Sequence, residues 1–246
     1  MSPVTVAAYA KLTVSLRITG VRSDGYHLID AEMVALDLAD TLVIDPTGTG
    51  ITADGPFAPG MPLDDTNLVA KALRLAGRTA AIHVHKTIPH GGGLGGGSAD
   101  AAAVLRWAGF GTDSEHLATA AALGADIAFC LVGGRARVRG IGELVEPLPP
   151  RPRDITLVIP PLAVSTPAAY LAWDALGGPR ADGPNDLEPA AIAVEPQLAV
   201  WRDRIADCCS VTPVLAGSGA TWFVHGHQPA LQQLQPEARV VLTRTV

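Results

Sequence analysis

Six glycines fall within seven consecutive positions, Gly91-Gly92-Gly93-Leu94-Gly95-Gly96-Gly97, directly ahead of Ser98-Ala99-Asp100 and an alanine-rich apolar run. Glycine loses more backbone entropy on folding than any other residue and brings no side chain to bury, so the run needs a compensation that only bare main chain supplies. Close approach to an anion is the natural one. Successive N–H groups form a concave nest, and a helix that follows adds its positive N-terminal end. The segment therefore reads as a phosphate-binding loop at the start of a helix over residues 98–108. Two common phosphate loops fit it poorly. Gly91-x-Gly93-x-x-Gly96 satisfies the dinucleotide pattern, as any glycine run does, but repeated parallel βαβ units are missing around it. A P-loop ends in Gly-Lys-Ser/Thr, whereas Lys86 precedes these glycines. A flexible glycine turn is the remaining reading.

Composition narrows the partners. The 246 residues are 48% hydrophobic and 17% charged, enough for a sizeable core and too apolar for disorder. A net charge of -6 without a Lys/Arg cluster argues against nucleic acid as a partner. Cys208 and Cys209 are adjacent and no Cys/His zinc spacing occurs, so a disulfide framework is not expected and a reducing compartment is. No apolar run approaches the ~18 residues of a membrane span, and no basic segment leads into an apolar one near Met1, so a cytoplasmic protein without a membrane partner is expected. His83-x-His85 and His225-x-His227 each place two imidazoles on one strand face. Neither pair has a Cys or carboxylate at ligand spacing, and we do not read them as metal sites. The chain has only three lysines (Lys11, Lys71, Lys86) and two asparagines (Asn67, Asn185), so each survivor invites a specific role.

Along the chain, residues 5–8, 12–19 and 42–44 are β-prone, with a turn at 22–25 between them. Helix is expected at 67–76 and 114–123, a strand at 81–86, and a strand pair at 127–132 and 136–139. The proline-dense stretch 147–153 suits a linker, dividing the chain into units 1–150 and 151–246. Beyond it the order is a strand at 155–159, helices at 167–176 and 196–208, strands at 214–216 and 221–225, a helix at 230–234 and a strand at 240–243. That order suggests a small α+β unit.

Pro89-x-Gly91-Gly92-Gly93-Leu94-Gly95-Gly96-Gly97-Ser98 resembles the central motif of the galactokinase, homoserine kinase, mevalonate kinase and phosphomevalonate kinase (GHMP kinase) superfamily. Two further segments resemble its outer motifs: Ala8-Tyr9-Ala10-Lys11-Leu12 with 20–27, and Leu215-Ala216-Gly217-Ser218-Gly219-Ala220-Thr221. Gly124-Ala125-Asp126, 140–143, 164–167 and Asn185-Asp186-Leu187-Glu188 are similar to segments of the branch whose acceptor is a cytidine diphosphate-linked methylerythritol. The resemblance thus spans the chain. It implies an α+β, two-domain GHMP kinase fold, with an N-terminal ribosomal S5 domain 2-like nucleotide-binding domain over 1–150 and a C-terminal ferredoxin-like substrate-binding domain over 151–246.

The resemblance also implies roles. Phosphoryl transfer needs a cradle for the phosphates, a cation, a metal and a carboxylate near the attacking hydroxyl. Lys11 and Asp126 would be the catalytic pair, with a structural ion pair as the bland alternative. ATP would be held by Pro89, Gly91, Gly92, Gly93, Leu94, Gly95, Gly96, Gly97 and Ser98, with Asn67, Lys86 and Asp100 around the nucleotide. Ser98 would cap the helix, contact phosphate and ligate Mg²⁺. His27 would read the cytosine edge, with Tyr26 and Tyr170 stacked on the base and Ile141 and Thr166 lining the pocket, while Gly217 and Ser218 would border the substrate tail. Thr13 stands where the family usually has Asn, a shorter group with one donor. The expected partner is a small molecule, and the expected state a monomer or weak homodimer. Another alcohol as acceptor, or an inactive nucleotide-binding regulator, are the alternatives.

Overall fold

The computed structural model describes residues 2–89 and 91–246; His90, within the central motif, lies outside them. The N-terminal half is built on one long hairpin, β1 (Val4–Val21) against β2 (His27–Asp45). The chain reverses at 22–25, where Arg22 N–H donates to Tyr26 O at 2.8 Å. On its other edge β2 pairs with two strands in succession. Its end takes β4 (Ala81–His85), which carries β3 (Gly50–Asp54) in parallel, and its beginning takes β5 (Arg135–Gly140), followed by β6 (Leu144–Pro147).

Helices α1 (Leu68–Leu75), α2 (Gly96–Trp107), α3 (Ser114–Leu123) and α4 (Ile127–Val132) enclose the core on this sheet. Ala99, Ala101, Ala102 and Ala103 of α2 are buried, and their small side chains let this helix lie close to β1. The expected strand at 127–132 is a correction, because it is helix α4. A six-residue apolar run does not distinguish buried strand from buried helix by periodicity. Here Ile127, Ala128, Phe129, Cys130 and Leu131 are all buried, chiefly against α2 and α3.

The C-terminal half forms a four-stranded antiparallel sheet in the order β10-β7-β9-β8, from β7 (Asp154–Ile159), β8 (Val214–Leu215), β9 (Trp222–His225) and β10 (Arg239–Arg244). Helices α5 (Thr166–Ala175), α6 (Glu188–Val194) and α7 (Gln197–Cys209) lie between β7 and β8, and a 3-10 turn at Pro229–Leu234 precedes β10. This is the ferredoxin-like β-α-β-β-α-β order. An apolar cluster joins the halves: Leu12, Leu36, Ile88 and Leu94 pack with Ile155, Leu157 and Phe223. No helix among the described residues is long and apolar enough to cross a membrane.

A buried ion triad fixes α2 to the sheet. Lys86 Nζ, just past β4, contacts Asp40 of β2 and lies 2.6 Å from Asp100 Oδ2 of α2, with all three side chains within 2% of full burial. Asp40 also accepts from Ile88 N–H at 2.8 Å. One ammonium thus faces two carboxylates, and Asp100 Oδ1 has no partner. Burial, opposed by Lys86 and reinforced by Asp40, pushes the Asp100 carboxyl up to about 7. The folded state therefore binds a proton that the unfolded chain has lost above its ordinary value of 3.8. Stability should fall as pH rises from about 4 to about 7, by at most about 1 kcal/mol per pH unit, and Asp100→Asn should remove that slope. Urea unfolding of both proteins across this range checks it; parallel pH profiles would contradict it.

Candidate active site

Lys11 is where distant segments meet. Its N–H donates to Leu94 O at 3.0 Å, tying β1 to the glycine loop. Its ammonium donates to Thr13 Oγ1 at 3.1 Å and lies 3.2 Å from Asp126 Oδ2, at the start of α4. The two charges differ in access. The Lys11 side chain is 6% exposed and that of Asp126 30%, so the carboxylate presents a free face to solvent while the ammonium stays sheltered. A Cβ at Gly217 would lie 3.7 Å from both Lys11 Nζ and Thr13 Oγ1, which puts the third glycine motif on the same spot. The structure thus brings Lys11, Thr13, Asp126 and Gly217 together from both halves of the chain.

The glycine loop uses its bare backbone partly against protein, a use the sequence reading did not include. Gly93, at φ +74, faces Ala216 O at a distance no Cβ tolerates. Gly95, at φ +66, lies over the Lys11 stem, where a Cβ would come within 2.7 Å of Lys11 Cγ. A Cβ at Gly92 would meet Thr221 Oγ1 at 2.9 Å and one at Gly96 would meet Ile88 at 3.1 Å. The remainder faces outward: Gly91 and Gly97 are exposed and Ser98 is half-buried. Helix α2 begins after Gly95 and no side chain caps it, which leaves its first amides available to an anion. Ser98 is therefore not the N-cap expected; it is the third residue of the helix. Leu94 has its side chain fully buried and its carbonyl taken by Lys11, so its backbone N–H is the only group it offers to the loop's open face.

The residues read as surrounding the nucleotide are more enclosed than expected. Lys86 and Asp100 are about 1% exposed within the triad, so direct contact with a ligand is at odds with their placement. They position α2. Asn67 caps α1: its Oδ1 accepts from Val69 N–H at 2.8 Å and its Nδ2 donates to Pro62 O. Its neighbour Leu68 reaches within 3.6 Å of a Cβ built at Gly97, so α1 supports the open end of the loop. Pro89 is buried beneath Gly92.

A second group lies beside Asp126. His27 stacks on Tyr170 with centroids 4.7 Å apart, meets Trp173 edge-on at 5.5 Å, and places Nε2 2.8 Å from Asp174 Oδ1. Burial, with a contribution from Asp126, pushes the Tyr170 hydroxyl up to about 12. Trp173 and Asp174 were not expected. The available signal was helical spacing, since both follow Tyr170 on one face of α5 at i+3 and i+4. Tyr26 stands apart: it is 60% exposed, with Arg22 over its ring at 5.9 Å, and does not join the stack. Thr166 Oγ1 and Ser218 Oγ are 2.8 Å apart, joining α5 to the third motif. Ile141 sits in a tight turn, its N–H donating to Glu143 Oε2 at 2.6 Å, and Gly142 in that turn packs on Ala125 O next to Asp126.

The histidine pairs lie elsewhere. Contrary to the sequence reading, a carboxylate accompanies each: Asp54 Oδ1 lies 2.6 Å from His85 Nδ1 and 3.5 Å from His83 Nε2, and Asp154 Oδ1 lies 3.7 Å from His227 Nε2. No His/Cys/Asp/Glu group of metal-holding size occurs among the described residues.

Residues 67–134 match the family described as GHMP kinases N terminal domain. The chain is 40% identical over 236 residues to a 4-diphosphocytidyl-2-C-methyl-D-erythritol kinase of Paracoccus denitrificans, covering 88% of this chain and 85% of that one. It is 38% identical to the same-named protein of Dinoroseobacter shibae, covering 98% and 91%. A crystal structure of 4-(cytidine 5'-diphospho)-2C-methyl-D-erythritol kinase superposes with a TM-score of 0.77 at 31% identity, over 99% of this chain and 100% of that one. A homoserine kinase from Cytophaga hutchinsonii shares the fold at 19% identity, with a TM-score of 0.68 over 100% and 95%.

The close approach of Gly93 to Ala216 O makes Gly93→Ala a sharp test of this packing. It combines positive φ with a backbone clash and should cost about 2–4 kcal/mol of stability. Thermal and urea unfolding check this; a change under about 0.5 kcal/mol, the usual size of a neutral surface substitution, would contradict it.

Proposed function

The chain belongs to the 4-diphosphocytidyl-2-C-methyl-D-erythritol kinase family, and from that premise we propose that it transfers the γ-phosphoryl group of ATP to the 2-hydroxyl of 4-diphosphocytidyl-2-C-methyl-D-erythritol. The observation that carries this reading is the Lys11–Asp126 pair, held 3.2 Å apart at the junction of the glycine loop and the third motif. In-line phosphoryl transfer needs positioning and charge stabilisation more than covalent help.

The open amides at the start of α2 face the developing negative charge of the phosphates, with Gly91, Gly97 and Ser98 on the exposed side of the loop. A divalent cation such as Mg²⁺ keeps most of its coordination in water and nucleotide oxygens, so the chain need supply only one or two ligands. Ser98 Oγ, half-buried at this helix start, is the group suited to that contact, and the metal would neutralise charge on the β- and γ-phosphates. The Asp126 carboxylate, with its exposed face, receives the acceptor hydroxyl's hydrogen bond and takes its proton as the phosphorus–oxygen bond forms. Lys11 Nζ, sheltered and bonded to Thr13, offsets charge on the group in transit. Thr13 supplies a hydroxyl where the family usually has an amide, and it keeps the ammonium oriented.

For the acceptor, Tyr170 is the stacking face for the cytosine and His27, packed beside it, reads the base edge, with Ile141 and Thr166 at the pocket's margins. Tyr26 would have to swing in from its exposed position to complete an aromatic sandwich. Ser218, bonded to Thr166, and Gly217 border the path from this pocket to Asp126.

Incubation with ATP, Mg²⁺ and the cytidyl acceptor should produce ADP and a phosphorylated acceptor in equal amounts. Absence of both from folded protein would remove the assignment, and preference for a cytidine-free alcohol would redirect it. Asp126→Asn should lower kcat by about 10²–10⁴-fold while the affinity for an ATP analogue changes by less than about threefold. Turnover unchanged by Asp126→Asn would refute the role given to this carboxylate.

A further inference from the structure

We infer that Asn185 is a positioning residue for phosphoryl transfer, acting through the backbone of Gly217 to hold the third motif against Lys11 and the glycine loop. This rests on the kinase reading above for its catalytic consequence, and on geometry alone for the contact itself. Asn185 is one of two asparagines in the chain and is 1% exposed. Its amide is nearly fully used. Nδ2 donates to Leu215 O at 2.9 Å and to Gly217 O at 2.7 Å, while Oδ1 accepts from Leu187 N–H at 2.9 Å. Only a side-chain amide offers two donors and an acceptor at this reach, so Asp, which presents oxygen to oxygen, cannot substitute.

The segment that carries Asn185 is fixed to β1. Leu16 N–H donates to Pro184 O and Asp186 N–H to Leu16 O, both at 2.9 Å. Asp186, 2% exposed, accepts from Arg17 Nη1 at 2.7 Å and Ile18 N–H at 3.0 Å. On its far side the gripped turn reaches the glycine loop: Thr221 N–H donates to Gly92 O at 3.3 Å, Ala220 N–H to Gly91 O at 3.4 Å, and Gly93 packs on Ala216 O. The contacts close a ring, from Lys11 along β1 to Leu16, through Asn185 to the Gly217 turn, and from Thr221 of that turn through Gly92 and Leu94 of the glycine loop back to the Lys11 backbone. Removing the amide opens the ring at its one side-chain link, and two buried carbonyls lose their donor. Asn185 touches neither the ammonium nor the carboxylate, so its effect is on where the turn sits.

The test compares wild type, Asn185→Ala and Asn185→Ser, which offer two, zero and one side-chain donors to the turn. In folded Asn185→Ala, kcat should fall at least about tenfold while the affinity for an ATP analogue stays within about threefold, and Asn185→Ser should recover part of the loss. Amide hydrogen exchange at Gly219, Ala220 and Thr221 should rise by about tenfold or more in the alanine variant and less in the serine variant. Turnover within about threefold of wild type, equal losses in Ser and Ala, or unchanged exchange would overturn the proposal. If the alanine variant does not fold, the serine variant decides by the same two readouts. If wild type fails to phosphorylate the cytidyl acceptor, the kinase reading fails, and the exchange measurement still decides whether Asn185 holds the turn.

Discussion

A single buried lysine stem organises the centre of this molecule. Lys11 is bonded through its backbone to Leu94, lies beneath Gly95, and ends with its ammonium between Thr13, Asp126 and Gly217. An ammonium enclosed to this degree carries a desolvation cost that a nearby carboxylate must offset. Asp126 does so while keeping its own outer face open. The asymmetry makes the pair suitable for chemistry: the sheltered charge is fixed, and the accessible one can meet an incoming hydroxyl. Loop, strand, helix α4 and third motif must all be in place for the two groups to meet.

The glycines make that convergence sterically feasible. Anion binding alone accounts for a nest of free amides, but it does not explain glycine at positions whose missing Cβ is filled by Lys11, Ala216, Thr221 or Ile88. The run therefore has two faces. One is packed against protein, with Gly93 meeting main chain and Gly92, Gly95 and Gly96 meeting side chains, and the other holds the uncapped start of α2 toward solvent. The entropy lost by ordering so many glycines is offset by a contact density that larger residues would prevent. The triad of Asp40, Lys86 and Asp100 holds the same helix start from beneath, so two of the three lysines in the chain brace one loop.

Much of this was legible in the residues. The glycine loop, the helix after it, the β-rich opening and the irregular proline-rich stretch at 148–153 follow from local pattern. What escaped depended on tertiary partners. The run 127–132 is helix because it is surrounded, which periodicity over six residues does not reveal. Lys86 and Asp100 read as ligand contacts because both flank the loop, while the residue that encloses them, Asp40, is some fifty positions away in sequence. Asp54 joins His83 and His85 only through parallel pairing of β3 with β4. Trp173 and Asp174 share a helical face with Tyr170, but nothing local says that this face meets His27.

The central claim is that Lys11 and Asp126, from opposite ends of the N-terminal half, act on the acceptor as one unit. A double-mutant cycle on kcat with Lys11→Met, Asp126→Asn and the combined variant measures this coupling directly. Groups that work as a unit lose their joint contribution when either is removed, so the double variant should be slowed about as much as the more damaged single variant. If the two losses instead multiply in full, the residues contribute independently, and the pairing seen in the structure is not the basis of catalysis.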